Sequence, residues 1–199
     1  MISKAEILSV FDIYRKQFPN ENDSTALFSE FLAKAQESEL FTRKNFGGHI
    51  KTSAFIIDED YNEMLLLKHK SLGRWLQPGG HVEADASLLL SALREAVEET
   101  GIPEKKLHNI SIFANSEVPF DIDSHYIPAN PKKQEEGHYH HDLRYLFVYT
   151  GDGKIKYNEK ESTGLKWVSF MELMEDVTFG AVVEKIDNSE FIESGSEPK

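Results

Sequence analysis

The chain has 199 residues, 40% of them hydrophobic and 11% aromatic, enough for one sizeable core with room for an appendage. The absence of cysteine excludes a disulfide framework, a thiolate nucleophile and a zinc–thiolate centre. A formal net charge of −12 argues against non-specific nucleic-acid binding and means that an anionic substrate must be met by local cations.

Residues 1–45 predict two amphipathic helices. Ile7, Leu8, Phe11, Tyr14 and Phe18 recur at helical spacing until Pro19-Asn20-Glu21-Asn22 breaks the pattern. Asp23 or Ser24 is expected to cap a second helix carrying Leu27, Phe28, Phe31 and Leu32. The expectation for this hairpin is an appendage packed on the main core. Its alternative is a lid or a homodimer contact through exposed Phe11, Tyr14 and Phe28. The first stretch carries charge through its apolar positions, so no signal peptide is expected. No apolar run approaches membrane-spanning length, so no membrane partner and a cytoplasmic location are the simplest expectations.

From Gly47 the apolar period shortens to that of strands. Ile50 to Ile57 and Met64 to Leu67 flank the turn residues Asp58-Glu59-Asp60-Tyr61-Asn62, which predicts a hairpin. Trp75-Leu76-Gln77 predicts a short strand entering a Pro78-Gly79-Gly80 turn. A helix is expected from Ser87 to Thr100, with Gly101 as its stop and Pro103 just beyond. Residues 107–118, 141–150 and 164–170 predict further strands, the last leading into a helix at 170–176. A final helix follows Thr178 with Val182, Val183 and Ile186 on one face, and residues 189–199 are expected to form a flexible tail. This order alone predicts only α/β or α+β.

The most informative stretch lies inside the central helix. Arg94-Glu95-Ala96-Val97-Glu98-Glu99-Thr100-Gly101-Ile102 places three glutamates at i, i+3 and i+4, which share one helix face. Like charges at that spacing repel, and a hard divalent cation removes the penalty because carboxylate oxygens are its preferred ligands. Gly80, Arg94, Glu95, Glu98, Glu99, Gly101 and Ile102 fall at the identities and spacing of the Nudix box: G, five residues, E, seven residues, then R-E-U-x-E-E-x-G-U with U apolar. The stretch resembles that box with two departures. Ala96 is smaller than the usual apolar residue. Ala86 stands where the pattern has a glutamate that braces loop and helix, often by pairing with the arginine. Asp85, one position earlier, is a candidate to take over that pairing or to cap the helix.

The resemblance implies a MutT-like Nudix α/β/α sandwich with a mixed sheet over residues 46–188, beside the N-terminal helical hairpin. It implies a pyrophosphohydrolase using Mg²⁺ or Mn²⁺ to cleave a nucleoside diphosphate linked to another moiety: a nucleotide sugar, ADP-ribose or a nucleoside triphosphate. The alternative is a non-catalytic nucleotide-binding module on the same scaffold, which Ala86 motivates. The isopentenyl diphosphate isomerases share the fold but rely on a cysteine absent here. By motif position Glu95, Glu98, Glu99 and the Gly79 carbonyl are the expected metal ligands, with Arg94 orienting a glutamate. The general base stays open among a box glutamate such as Glu98 and the later acids Glu135, Glu136 and Asp142. Gly80, Arg74 and His140 are candidate substrate contacts, and Lys51 and Lys68 are further cations near the box, whereas Lys70 reads as surface charge. His138, His140 and Asp142 would share one strand face. With His141 and the upstream Asp121, Asp123 and His125, they suggest either a metal site or a pocket lining, the latter favoured. Trp75 and Trp167 are expected in the core. Family members are often dimers, so a homodimer is an open expectation.

Overall fold

The structure, a computed structural model, describes residues 2–131, 134–152 and 155–191. Of the expected tail, residues 192–199 lie outside the described residues.

Helix α1 (Lys4–Gln17) starts in a capping box: Ser3 Oγ accepts from the Glu6 amide, and the Ser3 amide donates to Glu6 Oε2 at 2.7 Å. Helix α2 (Ala26–Lys34) has Thr25 at its N-cap, not Asp23 or Ser24. The Thr25 hydroxyl is spent on the Glu21 carbonyl at 2.8 Å, so the expected side-chain cap is replaced by a local turn.

Among the described residues eight strands follow: β1 (His49–Ile57), β2 (Glu63–His69), β3 (Trp75–Leu76), β4 (Gly79–His81), β5 (Leu107–Ile110), β6 (Asp121–Ile127), β7 (His138–Tyr149) and β8 (Ser162–Ser169). Helix α3 (Leu88–Thr100) lies between β4 and β5, and α4 (Phe170–Leu173) and α5 (Gly180–Asp187) come after β8. The strands form one mixed sheet in which β1 and β7 pair in parallel from His49↔His140 to Ile57↔Val148. The other pairings between these strands are antiparallel. One edge of β1 is divided, with β4 along Lys51–Ser53 and β2 at Ile57. That split brings the glycine segment into the sheet beside the centre of β1. Pro78-Gly79-Gly80 is therefore the entry to a paired strand and not the expected free turn.

Strand β1 buries both faces, which is why its sequence reads as a nearly continuous apolar run. Ile50, Ala54 and Ile56 join a core with α1, α2 and α3, and Phe55 and Ile57 join a second core with α4 and α5. The result is a mixed sheet between helical layers, the sandwich that the resemblance implied.

The N-terminal aromatics correct the sequence expectation. Phe11, Tyr14 and Phe28 are 3%, 0% and 0% exposed, so they form no surface patch for a lid or a homodimer. Phe11 and Phe28 meet edge to face at 5.0 Å, and both lie in the same core as β1 and α3. Lys185 of α5 reaches the hairpin, donating to the Tyr14 hydroxyl at 2.9 Å and pairing with Glu21 at 2.8 Å. Helical periodicity identifies the apolar stripe, but only packing shows that the rest of the chain covers it.

Because the hairpin shares the main core, Phe28→Ala is expected to cost about 3–5 kcal/mol and to leave one cooperative transition in urea. A separate, early hairpin transition would contradict this packing.

Candidate active site

Helix α3 is fixed at both ends and along its length. Ser87 caps its start by accepting from the Leu90 amide, and Gly101 ends it at φ 66°, a left-handed conformation suited to glycine. Thr52 and Ser91 hydrogen-bond at 2.9 Å where the helix lies on β1. The helical period then turns Glu95 and Glu99 inward, at 9% and 8% exposure, while the Glu98 side chain stays 57% exposed.

Strand β4 touches both buried glutamates. The Gly79 amide donates to Glu99 Oε2 at 3.2 Å. A Cβ at Gly80 would stand 2.1 Å from Glu95 Oε1, so any larger residue there would displace the Glu95 carboxylate from this position. Burial raises the pKa of Glu95, although the neighbouring Arg94 opposes the shift. Glu99 is pushed up to about 8, first by burial; the Gly79 amide opposes this, while Glu161 and Glu95 reinforce it. Glu161 was missed by sequence reasoning. It comes from the segment before β8, brought near by the Asn158 amide donating to the Glu99 carbonyl at 2.8 Å, and no motif marks it.

Arg94 organises the rest. Its Nε and Nη2 donate to the two Asp85 oxygens at 2.9 and 3.1 Å. Nη2 also donates to the His81 carbonyl at 3.0 Å, and Nη1 to Glu95 at 3.0 Å and Glu98 at 3.3 Å. The five N–H groups of a guanidinium thus match five acceptors. Burial opposes ionisation of Asp85, but the Arg94 hydrogen bond and the Glu83 amide outweigh it and hold that carboxyl below its ordinary pKa. Asp85 therefore makes the pair expected of a glutamate at position 86. Ala86 itself lines a cleft of about 310 Å³ beside Ile7 and Val10 of α1.

The other candidates are spread more widely. Asp142 is 5% exposed; its Oδ2 accepts from Ser53 at 2.9 Å and Gln77 at 3.4 Å, and its Oδ1 is buried without a partner. Glu136 is exposed before β7, and Glu135 is tied through its backbone to Asn130. Arg74 is exposed and donates to Thr178 Oγ1 at 3.2 Å, beside the start of α5. Lys68 and Lys166 flank the partly buried Trp75 ring, at 6.0 and 4.9 Å. Trp167 is partly buried against the α3-side core, and Lys70 donates to the Glu159 carbonyl. Lys51 is a cation whose charge bears on Glu95, His81 and His140 together.

The histidines divide by strand alternation. His138 and His140 share a face of β7 with Asp142, where they meet His49 of β1 and His81 of β4. His141 points to the other face, stacked on Phe31 at 4.5 Å and bonded to Ser124 Oγ at 2.8 Å. Burial first, and neighbouring positive charge second, lowers His140 to about 2, His81 to about 3 and His49 to about 4.

A sheet sandwiched by helices, with an arginine-braced row of glutamates on one of them, defines the class. The model of the NUDIX domain matches residues 48–185, and the chain belongs to that family. A protein of Lactococcus lactis subsp. cremoris named "Probable DHNTP pyrophosphohydrolase" is 33% identical over 115 residues, 58% of this chain and 63% of that protein. "Phosphatase NudJ" of Escherichia coli is 35% identical over 75 residues, 36% of this chain and 44% of that protein. The match thus spans less than two thirds of either relative. A NUDIX-family hydrolase structure from Clostridium perfringens shares the fold, with TM-score 0.51 and 22% identity over 73% of this chain and 97% of that one.

Removing the fork opposite Arg94 by Asp85→Ala is expected to cost about 1.5–3 kcal/mol in urea denaturation. Adding Ala86→Glu should recover part of that loss. Unchanged stability in Asp85→Ala would show that the pair braces nothing.

Proposed function

We propose that the chain is a divalent-cation-dependent pyrophosphohydrolase that cleaves the diphosphate bond of a nucleoside diphosphate linked to another moiety. The observation that carries this reading is the burial of Glu95 and Glu99 side by side, with both pKa values raised. Arg94 offsets only part of the cost of burying these two carboxylates, pairing with Glu95 and not with Glu99, and a hard cation offsets the rest. The donor set fits: Glu95, Glu98 and Glu99 are all-oxygen ligands, and the Gly79 carbonyl completes the set that the resemblance implies. Mg²⁺ or Mn²⁺ bound there would neutralise diphosphate charge and acidify a bound water.

The chain's own residues then have distinct tasks. Arg94 fixes the orientation of Glu95 and Glu98 through Nη1. Glu98, the solvent-facing member, accepts the proton of the attacking water. The new oxygen–phosphorus bond forms as the anhydride bond breaks, and the departing phosphate carries the released electron pair. Glu136 and Asp142 are the alternative bases, the first exposed and the second buried with one unpartnered oxygen. Lys51, beside His81 on β4, supplies positive charge felt at His140 and Glu95, where substrate phosphates would approach. Nucleotide sugars, ADP-ribose and nucleoside triphosphates are the substrate classes to test.

The residue span 46–188 is our proposed catalytic unit, close to the span matched by the family. Among the described residues no helix is long and apolar enough to cross a membrane. A cytoplasmic location for the reaction is part of the proposal. The reading as a non-catalytic binding module rests on Ala86, and the Asp85–Arg94 pair removes that ground.

A panel of these compounds with Mg²⁺ or Mn²⁺, followed by product mass spectrometry, tests the proposal. Turnover of one class is expected, falling by at least about 100-fold in Glu98→Gln and Glu99→Gln. Metal-dependent nucleotide binding without turnover, or turnover untouched in both variants, would overturn it.

A further inference from the structure

A cluster of imidazoles lies apart from the glutamates. Parallel pairing of β1 with β7 sets His49 directly beside His140, and His138 lies on the same face two residues away. One ring nitrogen from each of these three histidines lies within 4.8 Å of the other two. His138 Nε2 and His140 Nε2 are 3.2 Å apart, and His81 Nε2 of β4 stands 3.1 Å from His49 Nε2.

Two observations bear on ligation. His138 Nδ1 lies 2.7 Å from the Glu136 carbonyl, which can only accept, so in the neutral ring that nitrogen carries the proton and Nε2 is the one available to a ligand. The 3.2 Å separation of His138 Nε2 and His140 Nε2, which also suits an imidazole N–H···N hydrogen bond, is close to the roughly 3.3 Å edge of a tetrahedron with zinc–nitrogen bonds of about 2.0–2.1 Å.

We propose that His49, His138 and His140 form a three-histidine site for a borderline transition-metal dication of the Zn²⁺ type, with the fourth position left to water. Neutral imidazoles suit such an ion, whereas the all-oxygen glutamate face suits Mg²⁺ or Mn²⁺, so ligand chemistry separates the two sites. The ion ties β1 to β7. His81 hydrogen-bonds to His49 through their Nε2 atoms, which links the site to β4, whose carbonyl at His81 accepts from Arg94 Nη2. His125, its ring 5.6 Å from His140 and its Nδ1 held by Asp123, borders the site.

The test titrates chelator-stripped protein with Zn²⁺ in excess Mg²⁺, which keeps the glutamate face occupied. One Zn²⁺ per chain is expected, with imidazole scattering in the zinc K-edge absorption of the unmutated protein. His138→Gln and His140→Asn should each weaken binding by at least about 100-fold, with metal-free melting temperatures unchanged. Glu98→Gln should leave zinc binding as it was. An oxygen-only spectrum, no retained zinc, binding that survives both histidine variants, or loss of binding in Glu98→Gln would each overturn the proposal. The spectrum of the unmutated protein is decisive even if a variant fails to fold.

Discussion

Arg94 is the group on which the site's geometry depends. A guanidinium has five N–H donors in a rigid plane, and here each finds an acceptor in the surrounding motif. Two go to Asp85 in the loop, one to the backbone of β4, and two to Glu95 and Glu98 of its own helix. Loop, strand and helix are thereby held by one side chain. Lysine, with a compact ammonium on a flexible stem, could not reproduce that fork. The departure at Ala86 is tolerated because the acceptor has moved by one residue, and Arg94 is indifferent to which backbone position supplies it.

The second constraint is burial against charge. Glu95 and Glu99 lie between α3 and β4, where glycine backbone comes within contact distance. In metal-free protein this placement favours the protonated forms. Glu99 is raised from the usual carboxylate range to about 8, so the folded chain holds a proton there that the unfolded chain releases near 4.5. The sign follows from linkage: this group contributes its full favourable term at low pH, and the term is lost as pH rises from about 4.5 through about 8. A cation that replaces the proton restores the balance at neutral pH. On the proposed function, the site is arranged around an ion that takes the place of that proton.

Helix α3 is legible in the sequence because period, caps and fixed polar spacing agree along one continuous segment. Strand β6 is not. Its Asp121, Asp123 and His125 are poor strand formers, and the strand exists because β7 offers a pairing edge and Arg144 binds Asp121 at 3.1 Å and Asp123 at 2.8 Å. The aromatics of the hairpin are legible as a stripe, but their burial is set by tertiary packing that periodicity does not carry. Glu161, His49 and His81 are invisible for a related reason. Each joins its neighbours through strand register or a loop contact, and nothing in the local sequence announces the partner. Asp85 lies between these extremes: its offset from the motif suggests the substitute pair, and only geometry shows that both its oxygens are used.

The measurement that tests the central claim most directly is proton release on Mg²⁺ binding, read by calorimetry in buffers of different ionisation enthalpy. If buried, protonated carboxylates hold the ion, roughly one proton should leave per ion bound at about pH 7, and close to none at about pH 9. Binding without proton release at about pH 7, or with the same release at both pH values, would contradict a cation site built on Glu95 and Glu99.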